Sequence, residues 1–224
     1  MGSYASQELN NREPARACED MPETAASMVD VIYPLQGQAL PRDHRRALAE
    51  ALERLLPWLG EPTEAAVHRV NAVAGIGPTA LLSQRARLTL RVRRERVAQL
   101  APLQGAVLDV AGFKLRLGPA AVVRELLPHT TLYAHLVSTG DDDELVFLGG
   151  IDHELEALGV PCRPICGRHQ VIDNGGVAVA GYSLMLDGLS AAGSMRVLES
   201  GLGQHRRLGC GLFVPHKSGA AVRA

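Results

Sequence analysis

The clearest strand in the sequence is the stretch of alternating apolar and basic residues between Arg85 and Arg93. Alanine, leucine and valine occupy every second position, and four arginines and one threonine occupy the positions between them. Because successive side chains of a strand point to opposite faces, the pattern predicts a strand with one buried face and one cationic face. The arginines of the cationic face are Arg85, Arg87, Arg91 and Arg93.

Apolar periodicity and turn residues predict further elements around this strand. A proline that suits the first turn of a helix, followed by a leucine stripe of helical spacing, predicts a helix from Pro41 to about Leu56. The other elements of this first unit are strands near 28–35, 66–73 and 113–117 and a short helix near 94–100. The order strand, helix, strand, strand, helix, strand is that of a ferredoxin-like unit.

The same order is predicted a second time after a proline-containing segment. Its elements are strands near 131–137, 162–171, 177–186 and 210–214 and helices near 144–158 and 190–200. Asn174-Gly175-Gly176 predicts the turn of a hairpin between the two middle strands. The expected fold class is therefore α+β, with tandem ferredoxin-like (RRM-like) βαββαβ domains and a C-terminal glycine-rich loop.

These elements divide the chain into five segments. The N-terminal residues 1–27 lack an apolar period and predict a flexible leader, and residues 216–224 predict a flexible tail. Between them we expect an N-terminal domain over 28–117, a linker over 118–129 and a C-terminal domain over 130–215.

The distribution of charge is more informative than its total. Acidic and basic residues nearly balance, 24 against 23, so the net charge by itself indicates no polyanionic partner. The basic residues cluster at 42–54, 85–96 and 206–207. Such clusters are typical of a local site for a polyanion.

The cysteines and the hydropathy profile set further expectations. Cys162 and Cys166, with His153 and His169 nearby, lack the second ligand pair of a zinc site, so we expect reduced thiols and no metal. No apolar run approaches the length of a membrane span, and residues 1–27 are too polar for a signal peptide. We therefore expect a cytoplasmic protein that does not contact a membrane.

A glycine-rich segment over residues 201–211 concentrates the candidate chemistry. Its glycines are Gly201, Gly203, Gly209 and Gly211. Glycine allows the backbone to take positive φ and to approach a ligand closely, so the N–H groups of such a loop can face an anion. His205, Arg206 and Arg207 lie between the glycines and add donors suited to phosphate. The alternative is a surface hairpin whose glycines serve only the turn.

The segment Glu199–Pro215 reads ESGLGQHRRLGCGLFVP. It resembles the C-terminal signature of the CRISPR-associated endoribonucleases of the RAMP superfamily that process precursor crRNA, and it looks most like their MYXAN-subtype branch. Val29–Leu40 leading into Pro41-Arg42-Asp43-His44, the arginine-alternating strand and Gly181-Tyr182 agree with the same family. The resemblance covers the chain from about Val29 to Pro215.

This resemblance implies an RNase that binds the stem-loop of a CRISPR repeat and cuts at the base of the hairpin. It implies that the 2′-hydroxyl attacks the adjacent phosphate without a metal or other cofactor and leaves a 2′,3′-cyclic phosphate and a 5′-hydroxyl. It also implies that the protein stays bound to the mature crRNA. The expected partners are then CRISPR repeat RNA, crRNA and other subunits of a crRNA-guided effector complex.

His44 is the candidate general base. The family often places a histidine near its first helix, and His44 fills that place. It lies four residues before Leu48, the first leucine of the helical stripe, so its side chain is expected to turn inward. The helix dipole and the neighbouring Arg42, Arg45 and Arg46 oppose its protonation, which predicts a neutral imidazole able to accept a proton. Three arginines at a helix N-terminus also indicate an anionic ligand, so they are predicted RNA contacts.

The general acid is less well defined by the sequence. Tyr33, late in the first strand, is the first candidate because that position can approach His44. His205 in the glycine-rich segment and Lys217 near the C-terminus are the alternatives. No lysine follows His44 along the helix, so a catalytic set cannot be carried over complete from the family.

Three other functions are compatible with the same sequence. One is a RAMP subunit that holds the crRNA end without cutting it. Another is a two-histidine phosphodiesterase, since His129-Thr130-Thr131 and His216-Lys217-Ser218 fit its paired motif. The last is a tandem ferredoxin-like interaction module that binds no nucleic acid.

Overall fold

The computed structural model describes residues 26–216. Nearly all of the predicted leader and all but His216 of the predicted tail therefore lie outside the described residues. Ser27, the last residue of that leader, is held by the second unit, because its N–H and Oγ donate to Glu199 Oε1 at 2.6 and 3.0 Å.

The first unit contains one α-helix, two 3-10 helices and nine strands. In chain order these are β1 (Met28–Gln36), β2 (Ala39–Pro41), α1 (Arg45–Glu53), a 3-10 helix (Pro57–Gly60), β3 (Ala65–Val67), β4 (Val73–Ala74), β5 (Thr79–Leu81), β6 (Arg87–Arg93), a 3-10 helix (Arg94–Leu103), β7 (Val107–Val110), β8 (Phe113–Leu117) and β9 (Val122–Glu125). The main sheet has the order β3-β6-β1-β8-β7, and β9 pairs with β1 beside β8.

The second unit follows the predicted elements more closely. In chain order these are β10 (Thr131–Val137), α2 (Glu144–Ala157), β11 (Arg163–Asp173), β12 (Ala178–Asp187), α3 (Ala191–Ser200), a 3-10 helix (Arg206–Leu208) and β13 (Phe213–Pro215). Its four-stranded sheet has the order β11-β12-β10-β13. The first strand lies between the third and the fourth, which is the arrangement of a ferredoxin-like sheet.

Two local expectations about the first unit are corrected. The segment 118–129 is not only a linker, because β9 within it pairs antiparallel with β1 from Val29–Glu125 to Ile32–Val122. The α1 helix begins at Arg45, not at Pro41, because Pro41 pairs with Thr79 in a small sheet of order β2-β5-β4. A proline tolerates a strand edge as well as a first helical turn, and here the tertiary pairing decides between them.

Each unit has its own apolar core, and a third cluster joins them. This shared cluster comprises Ala49 of α1, Leu136 of β10, Ile172 of β11, Val179 of β12, and Leu208 and Cys210 of the glycine-rich segment. Burial of these side chains removes apolar surface from water at the junction of the two units. The shared cluster therefore holds α1 against the C-terminal segment, and this contact builds the candidate site.

Candidate active site

His44 lies at the junction of the two units, where it is the N-cap residue of α1. The side chain is buried, with 3% of the residue exposed. It lines a narrow cleft, closed in this structure and too small to hold a water molecule, together with Arg69, which follows β3, and with Arg207 and Leu208 of the glycine-rich segment. The fold thus brings the predicted base together with cationic side chains from both units.

The hydrogen bonding of His44 defines which ring nitrogen can accept a proton. Nδ1 lies 3.1 Å from the carbonyl oxygen of Pro41, which can only accept, so Nδ1 carries the hydrogen of the neutral ring. Nε2 is buried and has no hydrogen-bond partner within residues 26–216. Burial lowers the pKa of His44, the Pro41 carbonyl raises it, and the charges of Arg45 and Arg69 lower it, with a net lowering. The ring is therefore neutral at pH 7 and has a free acceptor.

Arg69 and His135 adjoin this cleft although no sequence pattern marked them. Arg69 is exposed, and its guanidinium contacts Nε2 of the half-buried His135 on β10. A nitrogen that accepts from arginine is unprotonated, so Nδ1 of His135 carries the hydrogen. Burial, Arg69 and Arg45 lower the pKa of His135 to about 4. A single histidine within an apolar strand gives no sequence signal, which is why only the fold reveals this neighbour.

The three arginines at the start of α1 have different roles. Arg45 is 7% exposed, and its Nη1 donates to the carbonyl oxygens of Leu208 and Gly209 at 2.8 and 3.3 Å. The expectation that Arg45 contacts RNA is corrected, because this side chain ties the glycine-rich segment to the helix. Arg42 is exposed, and Arg46 is paired with Glu50 at 2.7 Å and partly exposed. Only Arg42 and Arg46 keep a surface suited to phosphate.

The arginine-rich face of β6 is covered at one end, which corrects the expectation for Arg91. Arg91 is 1% exposed. Its Nε and Nη2 donate to the two carboxylate oxygens of Asp30 at 2.8 and 3.1 Å. Its Nη1 donates to the carbonyl oxygens of Leu198 and Phe213, both at 2.9 Å. Arg91 therefore joins β1 and β6 to the second unit and presents no donor to a bound RNA.

The other arginines of this stretch lie closer to the surface. Arg93 donates to Glu64 at 2.9 Å and is partly exposed. Arg87 is exposed, with a hydrogen bond only to the carbonyl of Ala86, and Arg85 precedes the strand and is also exposed. These two residues have no carboxylate partner within residues 26–216, so the free cationic surface is at the start of β6.

The glycine-rich segment packs into the protein and does not present its glycine amides to solvent. All four glycine N–H groups donate to protein acceptors. The pairs are Gly201 to Val197 O (2.8 Å), Gly203 to Glu154 Oε2 (2.7 Å), Gly209 to Arg206 O (3.0 Å) and Gly211 to Leu136 O (2.8 Å). The expectation that these amides bind phosphate is therefore corrected. The glycines instead allow the segment to pack closely against the rest of the protein.

Gly209 shows why glycine is required in this segment. Its φ is +76°, and an added Cβ would lie 2.7 Å from the carbonyl oxygen of Val67 in β3. A side chain would therefore push the segment away from the first unit and weaken the bond from Arg45 to the Gly209 carbonyl.

We expect Gly209→Ala to lower the free energy of unfolding by about 2–3 kcal/mol more than Gly105→Ala does. Gly105 is the matched control, because its φ is +70° and an added Cβ meets nothing within 4 Å. Both variants place an alanine at positive φ and share that cost. The difference between their free energies of unfolding therefore measures the clash with the carbonyl oxygen of Val67. Urea unfolding of the two variants measures both free energies of unfolding. Equal losses of this free energy in the two variants would contradict the prediction.

His205, Arg206 and Arg207 line a groove beside the cleft. The groove has a volume of about 520 Å³, and its opposite wall is formed by residues 60–63. Arg207 donates to both oxygens of Glu53 at 3.0 and 3.2 Å. Arg206 Nη2 donates to the carbonyl of Glu199 at 3.1 Å, and burial and the charge of Arg91 lower its pKa to about 10. The groove therefore carries basic side chains from the glycine-rich segment.

The structure also corrects the candidate general acid. Tyr33 is 1% exposed, and its hydroxyl donates to the carbonyl of Leu100 at 3.3 Å inside the first core. Its side chain therefore faces the core and is unavailable to a substrate. Lys217 lies outside the described residues, and an acid role for His205 stays a prediction.

The structure describes the remaining cysteine and histidine motifs, including His216 but not Lys217 and Ser218 of its motif. No group of three or more histidine, cysteine or acidic side chains within residues 26–216 is arranged to hold a metal ion. His129 and His216 lie just outside β10 and β13, not within apolar strands as the phosphodiesterase motif requires. Within the same residues, no helix is long and apolar enough to cross a membrane.

Comparison with known proteins places the chain in a family. A family model described as Cas6 Crispr matches residues 29–218. The chain belongs to the Cas6 family. A curated Cas6-family relative, the CRISPR-associated endonuclease Cas6 of Myxococcus xanthus, is 39% identical over 197 residues, which are 88% of this chain and 85% of that protein. The resemblance to the CRISPR-associated endoribonucleases is thereby confirmed at the level of the family.

Solved structures of Cas6 and RAMP proteins confirm the fold class. One CRISPR-associated protein Cas6 has a TM-score of 0.61 at 11% identity and covers 85% of this chain and 100% of its own. A Cas6-related protein from Pyrococcus furiosus has a TM-score of 0.61 at 13% identity, covering 85% and 99%. A RAMP protein that binds different RNA substrates has a TM-score of 0.57 at 13% identity, covering 84% and 100%. At these identities the likeness shows the tandem ferredoxin-like fold.

Proposed function

We propose that this Cas6-family chain is an endoribonuclease that binds the stem-loop of a CRISPR repeat and cuts precursor crRNA. The observation that carries the proposal is the state of His44, a neutral imidazole whose Nε2 is free to accept a proton. Arginines from both units surround it. The naming of the Myxococcus xanthus relative as a CRISPR-associated endonuclease supports the same activity.

The proposed reaction uses the 2′-hydroxyl of the RNA as the nucleophile. Nε2 of His44 accepts the proton of that hydroxyl, the oxygen attacks the adjacent phosphorus, and the bond to the 5′-oxygen breaks. The departing 5′-oxygen takes up a proton from water to become the 5′-hydroxyl, and the other product is the 2′,3′-cyclic phosphate. Arg69 and Arg207, which line the cleft with His44, are the cations placed to stabilise the added negative charge of the phosphorane.

Access to His44 requires movement of the side chains that cover it. Nε2 is enclosed, whereas Arg69 is exposed and the side chain of Arg207 is 34% exposed. Both are long side chains attracted to phosphate, so an RNA strand that enters the cleft can draw them towards its backbone. We therefore propose that substrate binding uncovers the base. Retention of the crRNA and assembly with effector subunits stay predictions.

We expect the protein to cut its repeat RNA in EDTA and to leave cyclic phosphate and 5′-hydroxyl ends. The substrate is repeat RNA from a CRISPR array of the genome that encodes this protein, and the ends are mapped after denaturing electrophoresis. An RNA with a 2′-deoxy sugar at the cut position is the control and should bind without being cut. Binding should weaken steeply as salt rises, because several phosphate contacts release counterions.

The possible results separate the alternatives. Salt-sensitive binding without any cleavage would support a subunit that only holds crRNA and would contradict the endoribonuclease. Absence of a salt-sensitive complex would support an interaction module without nucleic acid.

A further inference from the structure

The outer face of the small sheet β2-β5-β4 is mostly apolar and partly exposed, with Thr79 as its polar residue. Val73 pairs with Leu81, and Leu81 pairs with Ala39, so these three side chains share one face. Val73 is 63% and Leu81 50% exposed, whereas Leu40 and Ala80 on the inner face are buried. A sheet with one buried face normally turns polar side chains to water on the other. A contiguous apolar outer face therefore indicates a bound partner.

The tip of the β4–β5 hairpin extends this apolar surface. Ile76 at the tip is 96% exposed, the highest value among the large apolar side chains of residues 26–216. It lies between Gly75 and Gly77, and the space beside Gly77 is open, because a Cβ added there would meet nothing within 4 Å. Arg42 holds the tip in place, since its N–H donates to Pro78 O at 2.7 Å and its Nη2 to Gly75 O at 3.4 Å. Ile76 is thus presented to solvent from an anchored turn.

The charges around the hairpin indicate what kind of partner it meets. Arg42, which bonds to the tip, is only two residues before His44, and exposed Arg69 lies on the same cleft as His44. The nearby carboxylate of Asp43 already accepts the N–H of Asp173 at 2.9 Å. An apolar tip next to cations and a candidate RNase site favours a nucleic-acid partner over an apolar protein surface.

We infer that Ile76 packs against the exposed base face at the end of the RNA stem and so positions the cleaved phosphate beside His44. This inference rests on the proposed function. Apolar side chains that insert at base steps hold nucleic acids in a bent or opened form, and proteins recognise the ends of RNA helices through their exposed bases. Ile76 is a positioning residue in this arrangement, because it acts through the RNA and touches no reacting atom.

The test places 2-aminopurine at the junction between the stem and its flanking strand, in repeat RNA made uncleavable by 2′-deoxy sugars at the junction. Binding of the wild-type protein should change the fluorescence, and Ile76→Ala should lose most of that change. On cleavable RNA, Ile76→Ala should cut about tenfold more slowly while its dissociation constant rises less than about threefold. Ile76→Phe keeps an apolar surface for the base, so it should retain both the fluorescence change and the wild-type cleavage rate.

Leu145→Ala is the matched control, because Leu145 on α2 is 80% exposed. It should leave fluorescence and cleavage unchanged. Wild-type behaviour of Ile76→Ala in both measurements would overturn the inference. So would an Ile76→Asp variant that alters the sedimentation of the protein alone but not its cleavage, since this would identify a protein interface. The fluorescence experiment uses uncleavable RNA, so it decides the inference even if the wild-type protein proves unable to cut.

Discussion

Arg91→Met is expected to lower the free energy of unfolding by about 3–5 kcal/mol, the cost of removing one partner from a buried ion pair. The variant leaves the carboxylate of Asp30 without its bidentate partner and leaves two carbonyl groups of the second unit without a donor. Urea unfolding followed by circular dichroism measures the change. A loss below about 1 kcal/mol would show that the contact between the units does not depend on this side chain.

Arg87→Met is the matched control for Arg91. Both are arginines of β6, but Arg87 is exposed and bonds only to a neighbouring carbonyl. Its replacement should change the free energy of unfolding by less than about 0.5 kcal/mol. The double variant Asp30→Asn, Arg91→Met should be more stable than Arg91→Met alone, because it no longer buries an unpaired charge.

The same ion pair makes part of the stability sensitive to acid. Burial alone would raise the pKa of Asp30, but the hydrogen bonds and charges of His68 and Arg91 outweigh it and hold the pKa well below its usual range. A lowered carboxylate pKa contributes stability above the pKa of the unfolded chain, about 3.9, and that contribution is lost as pH falls through the folded value. The wild-type protein should therefore lose this contribution only below about pH 4.

His44→Ala is expected to slow cleavage of repeat RNA by about 10²–10⁴-fold, the usual contribution of a general base. Affinity for the uncleavable 2′-deoxy RNA should change little, because the side chain is buried and the surrounding arginines provide the phosphate contacts. His153→Ala, on the exposed surface of α2, is the control and should cut normally. A His44→Ala variant that folds, binds and still cuts at the wild-type rate would exclude the proposed base.

The pH dependence of cleavage should follow the lowered pKa of His44. Burial is the largest cause of that lowering, and Arg45 and Arg69 add to it. The active form is the neutral ring, so the rate should fall towards acid pH as the ring gains a proton, with a midpoint below the ordinary histidine value of about 6.5. Single-turnover rates between about pH 5 and pH 8 measure the midpoint. A midpoint above the ordinary histidine value of about 6.5 would contradict the proposed environment.

Several elements were predictable because local patterns persist in the folded chain. The helix and strand positions of the second unit follow from their periodicity, and β10 has the predicted bounds Thr131–Val137. The elements of the first unit were harder to predict, because its strands β2, β4 and β5 have only two or three residues each and are too short to show an alternating pattern. His44 was found because it precedes a clear leucine stripe and stands where the family carries a histidine.

By itself, the sequence determined which residues form the apolar faces, the order of the main elements, and the glycine-rich segment next to the last strand. It could not determine which polar faces the two units would cover. Arg91 and Arg87 lie on the same face of β6, yet only Arg91 is buried, because the second unit packs over one end of that face. The alternation of apolar and polar residues predicts which face of a strand a residue occupies. Contacts between distant segments decide whether that face is exposed to water, covered by protein or available to RNA.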